Sequence, residues 1–152
     1  MARVEEDLVR RLLEEQNECV LSWIKQDGTP ASSVVSFVVL EERIAMTALA
    51  GAPRVRAIRR NPNVAVVVSG AGSPVGHGRC VSILGACEIR GDQATRDRFF
   101  PAFSRAVLPG SVRGAEMMAE GMNTPENLVL LVTPRKWIPY DAQERLQAAN
   151  RL

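Results

Sequence analysis

Six short apolar runs separated by turn residues constrain this chain more than any other feature. Residues 19–24, 31–40, 44–48, 64–69, 80–90 and 128–133 are rich in Val, Ile and other strand formers. None approaches the ~18 consecutive apolar residues of a membrane helix. Asp27-Gly28, with Pro30 close behind, and Glu41-Glu42-Arg43 join the first three runs by tight turns. Strands linked so closely form an antiparallel meander, because a parallel pair needs a long crossover. The spacing predicts a small β-barrel, with helices inserted late and at the two ends.

Those helices carry their own signals. Val4, Leu8, Leu12 and Leu13 recur at helical spacing, so residues 4–16 read as an amphipathic helix whose Glu5, Glu6, Arg10 and Glu14 face solvent. Asp92 caps a helix holding Phe99, Phe100 and Phe103, which Pro101 is expected to kink or restart. Ser111 caps a shorter helix through Met118, and Asp141 with Glu144 resembles a capping box for a C-terminal helix. Trp137, Ile138 and Tyr140 read as an extended tail after the last strand. Gly85, alone in the fifth run, predicts a bulge or sharp bend. At 152 residues and 46% hydrophobic, the chain reads as one domain over 1–152 with a core of ordinary size.

Composition excludes some functions. A net charge of +2 is too small for wholesale nucleic-acid binding. Cys19, Cys80 and Cys87 are odd in number and lack CxxC spacing, which argues against a disulfide framework or a zinc site. Cys80 and Cys87 lie seven apart in one strand and so point to opposite faces. The N-terminus is charged and helical where a leader would be apolar, and a cytoplasmic protein with reduced thiols is expected.

The stretch 47–62 carries the chemistry. A strand runs into the small-residue turn Ala50-Gly51-Ala52, and Pro53 then opens a short helix bearing Arg54, Arg56, Arg59 and Arg60. Proline suits the first helical position, where its missing N–H has no partner anyway. Small residues ahead of a helix N-terminus let backbone N–H groups close on an anion, and guanidinium groups complete the grip. A solvated surface helix would carry the same arginines. Yet Arg54 sits in the first turn, where positive charge opposes the helix dipole, and a bound anion removes that conflict. The pattern is that of a phosphate seat.

Other motifs are weaker. The glycine-rich loop 70–78 is followed by a strand, which fails the context of a nucleotide-binding loop. His77 is the single histidine, so a catalytic triad or multi-histidine metal site is ruled out and haem ligation has little support. The small side chains of Ser32-Ser33-Val34-Val35-Ser36 leave room for a flat ligand along a strand, although serines on a solvent-facing edge look the same. The phenylalanines, with Met117 and Met118, read as packing.

The order of these residues resembles the pyridoxamine 5′-phosphate oxidase-like, FMN-binding split-barrel family. It runs from Asp27-Gly28-Thr29-Pro30 through Ser33-Val34-Val35-Ser36-Phe37, Met46-Thr47 and the small turn to Arg54-Val55-Arg56-Ala57-Ile58 and Asn61-Pro62. The likeness covers residues 19–90 and resumes over 128–141. It implies a mostly β fold with α, a six-stranded antiparallel split β-barrel with peripheral helices. It also implies a homodimer with FMN at the subunit interface. Ser33, Val34 and Val35 would lie along the flavin ring, Met46 and Thr47 near ring and phosphate, and Gly51, Ala52, Pro53 and Arg54 in the phosphate-gripping turn, with Arg56 helping.

The chain departs from that family where phosphate is usually clamped. The turn is commonly Ser-Arg-Lys, and here only Arg54 keeps a cation. The strand arginine and lysine of the true oxidase correspond to Ala31 and Ser36, and its C-terminal arginine and histidine have no match. A pyridoxamine phosphate oxidase is therefore not expected. Three readings stay open: an FMN-dependent oxidoreductase acting on a small-molecule substrate, a non-catalytic carrier of flavin, F420 or haem, and a dimeric scaffold with a degenerate site. No metal, nucleic acid or membrane is expected as a partner.

Overall fold

Alternation along the strands sets the architecture. In the strand Asn63–Ser69, Val64, Val66 and Val68 are buried while the residues between them face outward. The computed structural model describes residues 3–151. Their elements in chain order are α1 (Arg3–Glu15), β1 (Glu18–Ile24), β2 (Pro30–Ser36), β3 (Val38–Leu40), β4 (Arg43–Leu49), α2 (Pro53–Arg60), β5 (Asn63–Ser69), β6 (Arg79–Arg90), α3 (Gln93–Val107), α4 (Val112–Met122), β7 (Asn127–Asp141) and α5 (Gln143–Ala149). All strand pairs are antiparallel, in the order β2-β1-β5-β6-β7-β4-β3. The sheet curls into a split barrel, and its opening lies between the β2 edge and β4, which approach each other.

Seven strands stand where six were expected. The apolar run 31–40 divides at Phe37, which is buried and donates its N–H to the Asn17 carbonyl at 3.0 Å. Its first half pairs with β1 and its second half with β4. One continuous stretch thus supplies both edges of the split.

Two cores follow from the curl. The inner one joins Leu8 and Leu12 of α1, Met46 of β4, Val55 and Ile58 of α2, and the inward residues of β5 and β6. The second lies on the outer side of β4 and β7, where Ala45, Val129 and Leu131 meet Phe99, Phe100 and Phe103 of α3. The outer face of β2, β1, β5 and β6 has no such helical cover. Val34, Leu84, Ile138 and Tyr140 stand exposed there.

Other expectations shift in detail. α3 runs through Pro101 without restarting, and α4 continues past Met118 to Met122. The tail after residue 133 is the second half of β7, paired with β6 to Asp141. The Gly85 irregularity is a bulge on the partner strand. Leu84 faces Lys136 and Gly85 faces Pro134, so Arg135 is the extra residue. A side chain at Gly85 would lie 2.4 Å from the Thr133 carbonyl oxygen, so only glycine permits that approach. Asp141 accepts from the Gln143 N–H at 2.9 Å, one residue ahead of Ala142, which holds the cap position of α5. No described helix is long and apolar enough to cross a membrane.

Candidate functional site

The end of β4, the turn after it and the first turn of α2 form one wall of the split, and β2 forms the other. Local sequence explains the first wall. Ala50 donates to Glu126 and Ala52 to Leu49, each at 2.9 Å, which closes the turn. Pro53 then opens α2, whose N-cap Ala52 has no side-chain oxygen to satisfy the first N–H groups. Val55, Ala57 and Ile58 are buried, which leaves Arg56, Arg59 and Arg60 on the solvent side.

Arg54 differs from these three. It is half-buried, and its Nε atom is enclosed without any hydrogen-bond partner. An orphaned guanidinium nitrogen costs about 1–3 kcal/mol or more unless a ligand meets it. Two residues before it, Ala52 joins Leu49, Ala50, Gly51 and Glu126 in lining a hollow of about 510 Å³. At Gly51 the space around the backbone is open, with nothing within 4 Å of where a side chain would begin.

The sequence-predicted residues divide into three groups. Gly51, Ala52, Pro53, Arg54 and Arg56 come together at the start of α2, although the Ala52 N–H is already bound to Leu49 and is not free for an anion. Ser33, Val34 and Val35 lie on β2, whose far edge has no strand neighbour. Val34 points outward and is exposed, whereas Ser33 stands opposite the buried Leu21 and Val35 packs on the inner core. Met46 and Thr47 are occupied elsewhere. Met46 is fully buried, with its sulfur 3.8 Å from the Cys19 thiol, and the Thr47 hydroxyl donates to the Leu128 carbonyl at 2.8 Å. Met46 therefore offers nothing to a ligand, and Thr47 is only partly accessible.

Glu126 escaped the sequence reading. It reaches the hollow because β4 and β7 pair with Leu49 opposite Asn127, a contact that nothing local in the sequence announces. A carboxylate there opposes an anion. His77 lies in the exposed β5–β6 loop, at the end of β5 opposite α2, and its carbonyl accepts from Gln143. Among the described residues no group of His, Cys, Asp and Glu could hold a metal ion. The site can bind and orient an anionic, flat ligand, and Glu126 is the titratable side chain among the residues lining the hollow.

Comparison with known proteins agrees with this geometry. A family model described as pyridoxamine 5′-phosphate oxidase matches residues 6–140. The fold is similar to that of conserved hypothetical protein Rv2991 from Mycobacterium tuberculosis, with a TM-score of 0.79 and 17% identity over 95% of this chain and 87% of that one. An F420 reductase gives a TM-score of 0.62 and 21% identity over 85% of this chain and 94% of its own. A heme binding protein from Mycobacterium smegmatis gives 0.64 and 16% over 91% and 55%. No curated protein matches the chain. At these identities the structural likeness speaks for the fold.

Proposed function

The chain belongs to the pyridoxamine 5′-phosphate oxidase family, and from that premise we propose that it is an FMN-binding oxidoreductase with the flavin phosphate seated at the start of α2. The observation that carries this reading is the enclosed, unpartnered Nε of Arg54 beside an open, small-residue turn. A phosphate there gives that donor a charge-assisted partner and relieves the conflict between Arg54 and the dipole of α2. The ring lies along the free edge of β2, where those backbone groups of residues 33–35 that point away from β1 have no strand to bind.

Bound flavin supplies the hydride and electron chemistry. The chain binds, orients and shields it. A second copy of the chain completes the site across the uncovered outer sheet face, where Val34, Ile138 and Tyr140 are exposed. The names of two structural neighbours, an F420 reductase and a heme binding protein, favour a second reading in which the same cleft holds F420 or haem.

The test is thermal stabilisation by each cofactor. FMN at a hundredfold excess over its dissociation constant raises the melting temperature of the wild type by about 5–10 °C. Arg54→Ala abolishes that shift. A flat response at about 100 μM FMN sinks the FMN reading, because a dedicated cofactor binds more tightly than that. Bleaching of the bound flavin by NADH or NADPH distinguishes an enzyme from a carrier.

A further inference from the structure

Beyond the flavin cleft, a second groove of about 590 Å³ opens at the α2 end of the outer sheet face. Its floor is a row of neighbours across four strands. Ser22 faces Ala65, Ala65 faces Leu84, and Leu84 faces Lys136. Trp23 and Gly85 flank this row. Gly85 allows the close approach of β6 and β7 beneath this row, because a side chain there would meet the Thr133 carbonyl and Val132. The same bulge inserts Arg135 beside Lys136 at the rim.

These two cations are free to meet a ligand. Both are exposed, neither makes a hydrogen bond or ion pair among the described residues, and no acid lines the groove. Several other cations on the sheet are matched by acids: Arg43 with Glu41 and Glu88, Arg79 with Asp141, Arg90 with Asp92. An apolar floor of this size with two convergent cations fits a flat apolar anion. The ring system covers Ala65 and Leu84, and the charge is held by Arg135 and Lys136.

We propose that this groove binds an aromatic carboxylate or a molecule of that class, and the binding does not depend on the flavin reading above. The probe is 2-naphthoate, titrated calorimetrically into the wild-type protein, with 2-naphthalenemethanol as the uncharged counterpart.

The expected result is saturable binding of one 2-naphthoate per chain, with the alcohol about tenfold weaker or more. Arg135→Ala/Lys136→Ala loses a similar factor for 2-naphthoate and keeps the full thermal shift with FMN, which also proves its fold. Arg54→Ala does the reverse. Equal binding of acid and alcohol, or an unchanged isotherm in the double variant, overturns the proposal. So does the absence of heat from 2-naphthoate together with a changed elution volume in the double variant, which would mean that a second copy of the chain fills the groove. If FMN fails to bind the wild type while 2-naphthoate binds as described, the groove stands and the flavin reading falls.

Discussion

Arg54 and Ser104 are the two residues with enclosed polar side-chain atoms that lack a partner among the described residues, and they call for opposite treatment. Arg54 follows the open small-residue turn 50–52, where a ligand can meet its orphaned nitrogen. Ser104 is fully buried in α3, within the helical layer whose Phe99, Phe100 and Phe103 form the second core, and its hydroxyl serves nothing visible. Ser104→Ala should therefore raise stability by about 1 kcal/mol, since it removes an unsatisfied group and adds the best helix former. Urea denaturation measures this, and a loss of stability would mean that the hydroxyl has a hidden partner. The thiols divide in a similar way. Burial pushes Cys19 and Cys87 up to about 12, with the Glu18 charge adding to the effect at Cys19 and the Glu88 charge at Cys87. Thiolate is the reactive form, so iodoacetamide at pH 8 should modify the half-exposed Cys80 first and reach the other two only after unfolding. Peptide mass spectrometry reads the order directly.

Elements show where local sequence suffices and where it fails. The turn from β3 to β4 holds Glu41 and Glu42 at φ of 52° and 62°, a left-handed conformation that a two-residue hairpin demands and glutamate resists. Glu41 is compensated by Arg43 at 3.2 Å and Arg98 at 3.0 Å, whereas Glu42 has no such contact. Glu42→Gly should stabilise the chain by about 1 kcal/mol, measured as a higher denaturation midpoint. At Gly85 the sign reverses. An alanine there meets the β7 backbone, and a loss of about 1–3 kcal/mol is expected.

Asp92 caps α3 and accepts from both the N–H and the hydroxyl of Thr95, which holds its carboxyl down at about 2. A folded-state value below the unfolded one, near 3.9, gives stability that is complete above about pH 4 and is lost as pH falls towards 2. Asp92→Ala should thus lower the melting temperature at pH 7 and matter progressively less below pH 4.

The β-branched runs, the Pro53 start of α2 and the Asp92 and Ser111 caps are short-range features, and the sequence displays them openly. The break at Phe37 is not marked by Gly or Pro, because the chain crosses there from one sheet edge to the other only to close the split. The strand character of 134–141 is masked by Pro134 and Pro139. They are tolerated because β4 pairs with β7 only as far as Val132, so that half of β7 has a free edge. Arg54 could be singled out from its place in a local motif, while Glu126 could not, since it arrives through a strand pairing made across most of the chain.

At the scale of the molecule, the two outer faces of the barrel are unequal. The β4–β7 side is sealed by α3 and α4, with Arg96 binding the helices to the sheet end through Asn123 and Gly91. The β2-β1-β5-β6 side is bare, and Val34, Val20, Val67, Ser82 and Ile138 form a single row across it. Val34 and Ile138 at the ends of this row are 62% and 42% exposed and Tyr140 beside it 51%, an apolar stretch of the kind that marks an interaction surface. Self-association across this face is the economical way to cover it, and a stable pair buries about 800 Å² on each copy. It also brings a second chain to the β2 edge where the flavin ring is proposed to lie. Val34→Asp should then shift the protein from dimer to monomer in sedimentation velocity, and FMN-dependent stabilisation should fall with it, because the charge meets its own counterpart or an apolar partner across the seam. A Val34→Asp protein that stays dimeric and binds FMN as the wild type does would place the subunit contact elsewhere. A Val34→Asp monomer that still binds FMN fully would show that one chain alone makes the site.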